Sequence, residues 1–121
     1  MEKKEISLEK LYQDMQEYIK MEEPLPFPEF NDYYKDVMAF LLSDYQELDQ
    51  NQLMQTYGIC GIISANAQVR AAEKDLNRKK FQKIAEKAKF WESAIKTRLK
   101  KEGLSDKEFD DQYASLWPDE D

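Results

Sequence analysis

Ala71–Glu102, AAEKDLNRKKFQKIAEKAKFWESAIKTRLKKE, is the stretch that decides the fold. Phe81, Ile84, Ala88, Trp91 and Ile95 recur at alternating steps of three and four residues, and Leu99 follows. That is close to two heptads of an a/d seam, which a helix gathers on one side. Arg98, Lys100 and Lys101 sit where the carboxyl end of a helix dipole favours cations. Gly103 stands at the position that ends such a helix in the left-handed conformation, and Leu104 can fold back on Leu99. About 32 residues at a rise of about 1.5 Å make a rod of roughly 48 Å, longer than the ~30 Å of a small domain. One end is therefore expected to protrude or to lie under a partner.

Downstream, Ser105-Asp-Lys-Glu108 is a full capping box and opens a last helix. Phe109, Tyr113, Leu116 and Trp117 form its apolar side, and Trp117 is expected to close the core. Pro118 ends the helix, leaving 118–121 as a frayed acidic tail. The charge pattern predicts that this helix folds back with its acids near Lys96, Lys100 or Lys101. Exposed ion pairs contribute only ~0–1 kcal/mol each, so Phe109, Tyr113 and Trp117 must carry the docking.

Upstream, the pattern is helical almost throughout from Asn51 to Glu102, and no proline occurs between Pro28 and Pro118. Tyr57–Ala67 admits two readings. Gly58, Cys60, Gly61, Ser64, Ala65 and Ala67 are small and would let another element approach a helix closely, with a kink near Ser64–Ala67. Ile59, Ile62 and Ile63 suit a short buried strand instead, but a lone strand would have no pairing partner in this chain. Gly61 is the expected close crossing. A second helix is expected from Asn31 as cap to about Leu48, with Tyr34, Val37, Met38, Leu41, Tyr45 and Leu48 as its stripe and Phe40 and Leu42 widening it. Pro24-Leu-Pro-Phe-Pro28 before it reads as an extended connector, since alternate prolines fix φ and remove amide donors. The first helix runs from Ser7, as N-cap, to about Met21, with Leu8, Leu11, Tyr12, Met15, Tyr18 and Ile19 on one face. The fold class is thus all-α: a single domain over 1–121, a helical bundle of four to five helices packed on one spine at about 71–102.

Charge is sorted along the chain. Residues 1–69 hold 5 Lys/Arg against 13 Asp/Glu, residues 70–102 hold 12 against 5, and residues 103–121 hold 1 against 7; the balances of −8, +7 and −6 sum to −7. Such sorting serves electrostatic docking within the chain or with a partner. With no histidine, the commonest general base is absent. No Gly-rich phosphate loop, EF-hand loop or Glu-x-x-His pair occurs. The single Cys60, between Ile59 and Gly61, reads as core and excludes an internal disulfide. No catalytic, cofactor or metal site is expected, and the chain does not read as an enzyme. No apolar run approaches the ~20 residues of a membrane span, and no signal core follows Met1-Glu-Lys-Lys-Glu5. The expectation is a soluble, cytoplasmic protein with no membrane partner.

Two surfaces remain. Lys79, Lys80, Lys83, Lys87, Arg98 and Lys101 lie opposite the Phe81–Leu99 seam, with Phe90 and Ala94 among them. A cationic face with an aromatic in its middle can dock an acidic helix, or track a phosphate backbone and stack a base; its plainer reading is a solvated face. Lysine in place of arginine weakens base-specific readout. Glu22, Glu23, Glu29, Asp32, Asp36 and Asp44, with Asp106, Glu108, Asp110 and Asp111, form acidic blocks that resemble nucleic-acid phosphates or simply confer solubility. The leading expectation is a non-catalytic protein–protein interaction module, an adaptor, inhibitor or assembly factor. The alternatives are a nucleic-acid-binding accessory protein using the basic face, and a self-assembling helical protein. A homo-oligomer would form through Phe81, Ile84, Trp91, Ile95 and Leu99.

Overall fold

The computed structural model describes residues 7–21, 23, 25–73 and 76–117. Among them every regular element is helical, which makes the fold an all-α helical bundle. The chain divides into two compact units, Met1–Glu47 and Leu48–Asp121.

In the first unit, α1 spans Leu8–Tyr18. The Ser7 hydroxyl accepts from the Lys10 amide at 3.2 Å, the cap the sequence announced. Leu8, Leu11 and Met15 are buried along the inner face. Helix α2 spans Phe27–Asp44, and a 3₁₀ turn follows at Tyr45–Glu47. The expected cap at Asn31 is therefore corrected: the helix starts four residues earlier, with Pro28 inside its first turn. A proline fits there because the first-turn amides have no intrahelical acceptor and its fixed φ is already helical. Of the expected connector 24–28, Leu25 and Pro26 lead into the helix and Phe27 and Pro28 belong to it; Pro24 lies outside the described residues, as does Glu22. The Tyr33 hydroxyl donates to the Leu11 carbonyl at 2.6 Å, and its ring meets Tyr18 edge-on at 5.2 Å, so one tyrosine fastens α2 to α1.

In the second unit, α3 spans Gln50–Ala72, α4 Arg78–Lys101 and α5 Asp106–Leu116. Asp49 and Gln52 form a reciprocal capping box at the start of α3. Tyr57–Ala67 is α-helix without interruption, which removes the strand. The small residues do let a neighbour in close: Ile59, Cys60, Ile63 and Ala67 are fully buried, as are Phe81, Ala88, Ile95 and Leu99 of α4, which packs along α3.

The spine expected at about 71–102 is present as α4 with a later start: the chain leaves α3 after Ala72, reverses, and enters α4 at Arg78, so Ala71 and Ala72 belong to the preceding helix. Neither glycine nor proline marks this reversal, and the apolar period continues on both sides of it. Folding back is favoured because an unbroken rod would leave one apolar stripe in water. Arg70 lies 4.3 Å over the Phe81 ring and spans the reversal. With 23 and 24 residues the helices run about 35 and 36 Å. They match in length, and α4 is about 12 Å shorter than the expected 48 Å rod.

At the other end of α4, Gly103 has φ 103°. The Leu104 amide donates to the Leu99 carbonyl at 3.1 Å and the Gly103 amide to Lys100 at 3.0 Å, the two bonds of a Schellman turn. Ser105 and Glu108 cap α5 in both directions. Helix α5 folds back on the chain as expected, with Asp106 at Lys100, and the helix it packs on is α3. Trp117 is buried against Gly58: a Cβ at residue 58 would lie within 3 Å of three indole atoms, including Cδ1 at 2.6 Å. The closest approach is therefore at Gly58; at the expected Gly61, one turn on, α3 is met by the Glu92 side chain of α4, whose Oε2 would lie 2.6 Å from an added Cβ.

Candidate functional site

Successive helical residues turn by about 100°, so steps of three, four and seven return to one side. On α4 this gathers Lys79, Lys80, Lys83, Lys87, Phe90 and Lys101 on one exposed face. Phe90 is 61% exposed, whereas Phe81 and Ile95 on the opposite side are fully buried. Its ring meets the half-buried Trp91 edge-on at 5.6 Å and 79°, so the exposed ring stands on a supported base.

Arg98 has a different role. Its guanidinium donates to the Leu48 carbonyl at 3.0 Å and pairs with Glu102 at 3.0 Å. It is half-buried and holds the chain entering α3 against the end of α4. Its fork is committed to structure, which removes it from the docking face. The face that remains is lysine only, able to attract acidic groups but without the planar fork that reads carboxylate or phosphate in two bonds.

The seam expected to serve a homo-oligomer is also committed. Phe81, Ile95 and Leu99 are fully buried, Ile84 is 3% exposed and Trp91 half-buried. A second copy reaches them only by opening the fold, which corrects that expectation.

The acids are scattered in role. Glu29, Asp32, Asp36 and Asp44 lie on α2 in the first unit. On α5, Asp106 pairs with Lys100, and that hydrogen bond and charge hold its carboxyl below the ordinary range. Glu108 accepts from Ser105, which lowers its carboxyl too. Two of the four α5 acids thus stabilise the local turn and cap. Asp110 and Asp111 remain exposed. Cys60 is buried, and burial followed by the charge of Glu92 pushes its thiol up, the opposite of an activated nucleophile.

One feature was invisible in the sequence: an open groove of about 450 Å³ where α3, α4 and α5 meet, lined among others by Tyr57, Glu92, Lys96, Phe109 and Tyr113. Its residues come from three helices up to 56 positions apart, between Tyr57 and Tyr113, and no local spacing brings them together.

No family model matches the chain, and no curated protein or solved structure matches it either. Among the described residues, no helix is long and apolar enough to cross a membrane.

Proposed function

We propose that this is a non-catalytic protein–protein interaction module of the cytoplasm, an adaptor, inhibitor or assembly factor, which docks an acidic protein surface on α4 with Phe90 as anchor. The observation that carries this reading is Phe90 itself, 61% exposed in the middle of the Lys79/Lys83/Lys87 face. Lysines supply encounter rate and orientation, and a buried aromatic supplies most of the affinity. Burying about 100 Å² more of the ring at about 25 cal/mol/Å² contributes roughly 2–3 kcal/mol.

The test is one substitution series. Phe90→Ala is expected to weaken capture of a partner purified from the native host by about 30-fold or more, while the melting curve stays where it was, because an exposed ring contributes within about 0.5 kcal/mol to the fold. Lys79→Glu, Lys83→Glu and Lys87→Glu together are expected to abolish capture at low salt. Tight oligonucleotide binding by the wild type, falling steeply with salt and lost in the triple variant, would overturn this reading in favour of a nucleic-acid accessory protein.

A further inference from the structure

We propose that the groove between α3, α4 and α5 binds an organic cation, an alkylammonium or guanidinium group, between the rings of Tyr57, Phe109 and Tyr113 and the carboxylates of Glu92 and Asp110. The groove lies across α4 from Phe90: at about 100° per residue, Glu92 and Lys96 are turned by roughly 200° and 240° from it. The inference is therefore independent of the docking face.

The walls are aromatic. Tyr57 lies 4.9 Å from Phe109 and 5.8 Å from Tyr113, each pair at 83°. Rings set at right angles form corners, and an organic cation is attracted to ring faces that line such a corner. One cation already uses this property: the Lys96 ammonium sits 5.2 Å from the centre of the Phe109 ring.

The acids are the second observation. Glu92 is half-buried, and its Oε2 lies 2.6 Å from the point where a Cβ on residue 61 would stand. The carboxylate thus lies close over Gly61 of α3. Neither Glu92 nor Asp110 forms an ion pair among the described residues, although Lys96 is one helical turn from Glu92 and lines the same groove. Among the described residues Lys96 is the one ammonium that lines the groove, so a second cation entering it finds carboxylate charge not already paired. Both carboxylates act on one spot: the Tyr57 phenol is raised first by burial, then by Glu92, Tyr113 and Asp110. Two carboxylates against one ammonium leave the groove negative, and 450 Å³ accommodates a small organic cation with its stem.

Either a free small molecule or the arginine or lysine of another protein carries such a group, and the assay separates them. The full-length protein is titrated with tetramethylammonium, with N-acetylarginine amide and with a Gly-Arg-Gly peptide, each against sodium chloride of equal ionic strength, and tyrosine side-chain resonances are followed. Saturable shifts at Tyr57 and Tyr113 are expected for at least one probe. Tighter binding of tetramethylammonium assigns a free alkylammonium ligand; tighter binding of the two arginine probes assigns a side chain. Glu92→Gln is expected to weaken binding about fivefold to tenfold, and Lys96→Met, which removes the competing ammonium, to strengthen it by a similar factor. The Lys96 variant keeps the test decisive if Glu92→Gln disturbs folding. Shifts no larger than those from sodium chloride, or binding of N-acetylglutamate that Lys96→Met abolishes, would overturn the proposal.

Discussion

Gly58→Ala sets two effects of known sign against each other. In the middle of α3, alanine is the better helix former by about 1 kcal/mol. Against this, the added methyl meets the Trp117 indole, with Cδ1 at 2.6 Å and Nε1 and Cε2 also within 3 Å. Ordinary carbon contacts lie at about 3.5–4.0 Å, so the indole must retreat by roughly an ångström or more. The α3 backbone cannot yield, because Ile59 and Cys60 beside it are fully buried. Trp117 is 7% exposed. A buried indole covers about 150–250 Å², so complete undocking would cost roughly 4–6 kcal/mol at about 25 cal/mol/Å². Partial displacement falls in the overpacking range of about 1–3 kcal/mol. Subtracting the helix gain leaves a net loss of about 0–2 kcal/mol, concentrated in the docking of α5.

The readout must therefore be local as well as global. In a Trp91→Phe background, Trp117 is the sole tryptophan, because the chain has two. Gly58→Ala is expected to red-shift its emission and expose it to quencher. The decisive comparison is a double-mutant cycle with Trp117→Leu. Once the indole is gone, Gly58→Ala should stabilise by up to about 1 kcal/mol, the helix term alone. If Gly58→Ala raises the melting temperature with Trp117 present and its emission unchanged, the close packing of indole on glycine is refuted.

Two further predictions concern the same unit. Arg98→Ala removes a half-buried bond to the Leu48 carbonyl and should cost about 1.5–3 kcal/mol in denaturant unfolding; Arg98→Lys, a single point charge, should recover only part of it. Stability should also depend on pH at both extremes. Asp106 and Glu108 are held below their ordinary values of 3.8 and 4.5, so their contribution is present above those values and fades as pH falls through the depressed ones. The Tyr57 phenol is raised above 10.0, chiefly by burial, so its contribution is full below that value and is lost as pH rises through the raised one. Circular dichroism of the aromatic bands across pH should show both limbs, and Tyr57→Phe should weaken the alkaline one, which Tyr12 and Tyr18, also raised chiefly by burial, share.

What the sequence made legible were the features written in adjacent residues. Ser7, the Ser105–Glu108 box and the Gly103–Leu104 turn each follow from residues within six positions, and each is formed as expected. Helix type was legible even at Tyr57–Ala67, because a strand needs a partner. The two differences have a common cause. Proline breaks helix interiors, which puts Pro28 before the helix on sequence grounds, but in the first turn the missing amide has no acceptor to lose. The start of α4 lies at Arg78, seven residues after the expected Ala71, and no glycine or proline in residues 71–77 marks it. In both cases a local rule was permissive and packing made the choice. The groove was beyond reach for a stronger reason, since its rings and acids become neighbours only when three helices are in place.

The groove and the docking of α5 share residues, which couples binding to stability. Phe109 and Tyr113 belong to α5, and they meet Tyr57 on α3. A cation held among these rings favours the docked arrangement over any state in which α5 swings away from Tyr57. By mass action a ligand at 100 times its dissociation constant adds about 2.7 kcal/mol to the state that binds it. That exceeds the net loss of about 0–2 kcal/mol from Gly58→Ala, and both act on the same helix. Gly58 and the groove are thus opposing controls on one element: overpacking pushes α5 off α3, and a bound cation draws it back. The salt bridge of Lys100 with Asp106 plays little part in this balance, because Asp106 is exposed and such pairs contribute ~0–1 kcal/mol. The aromatic contacts dominate, and it is at Tyr57, between α3 and α5, that packing, ionisation and any bound cation meet.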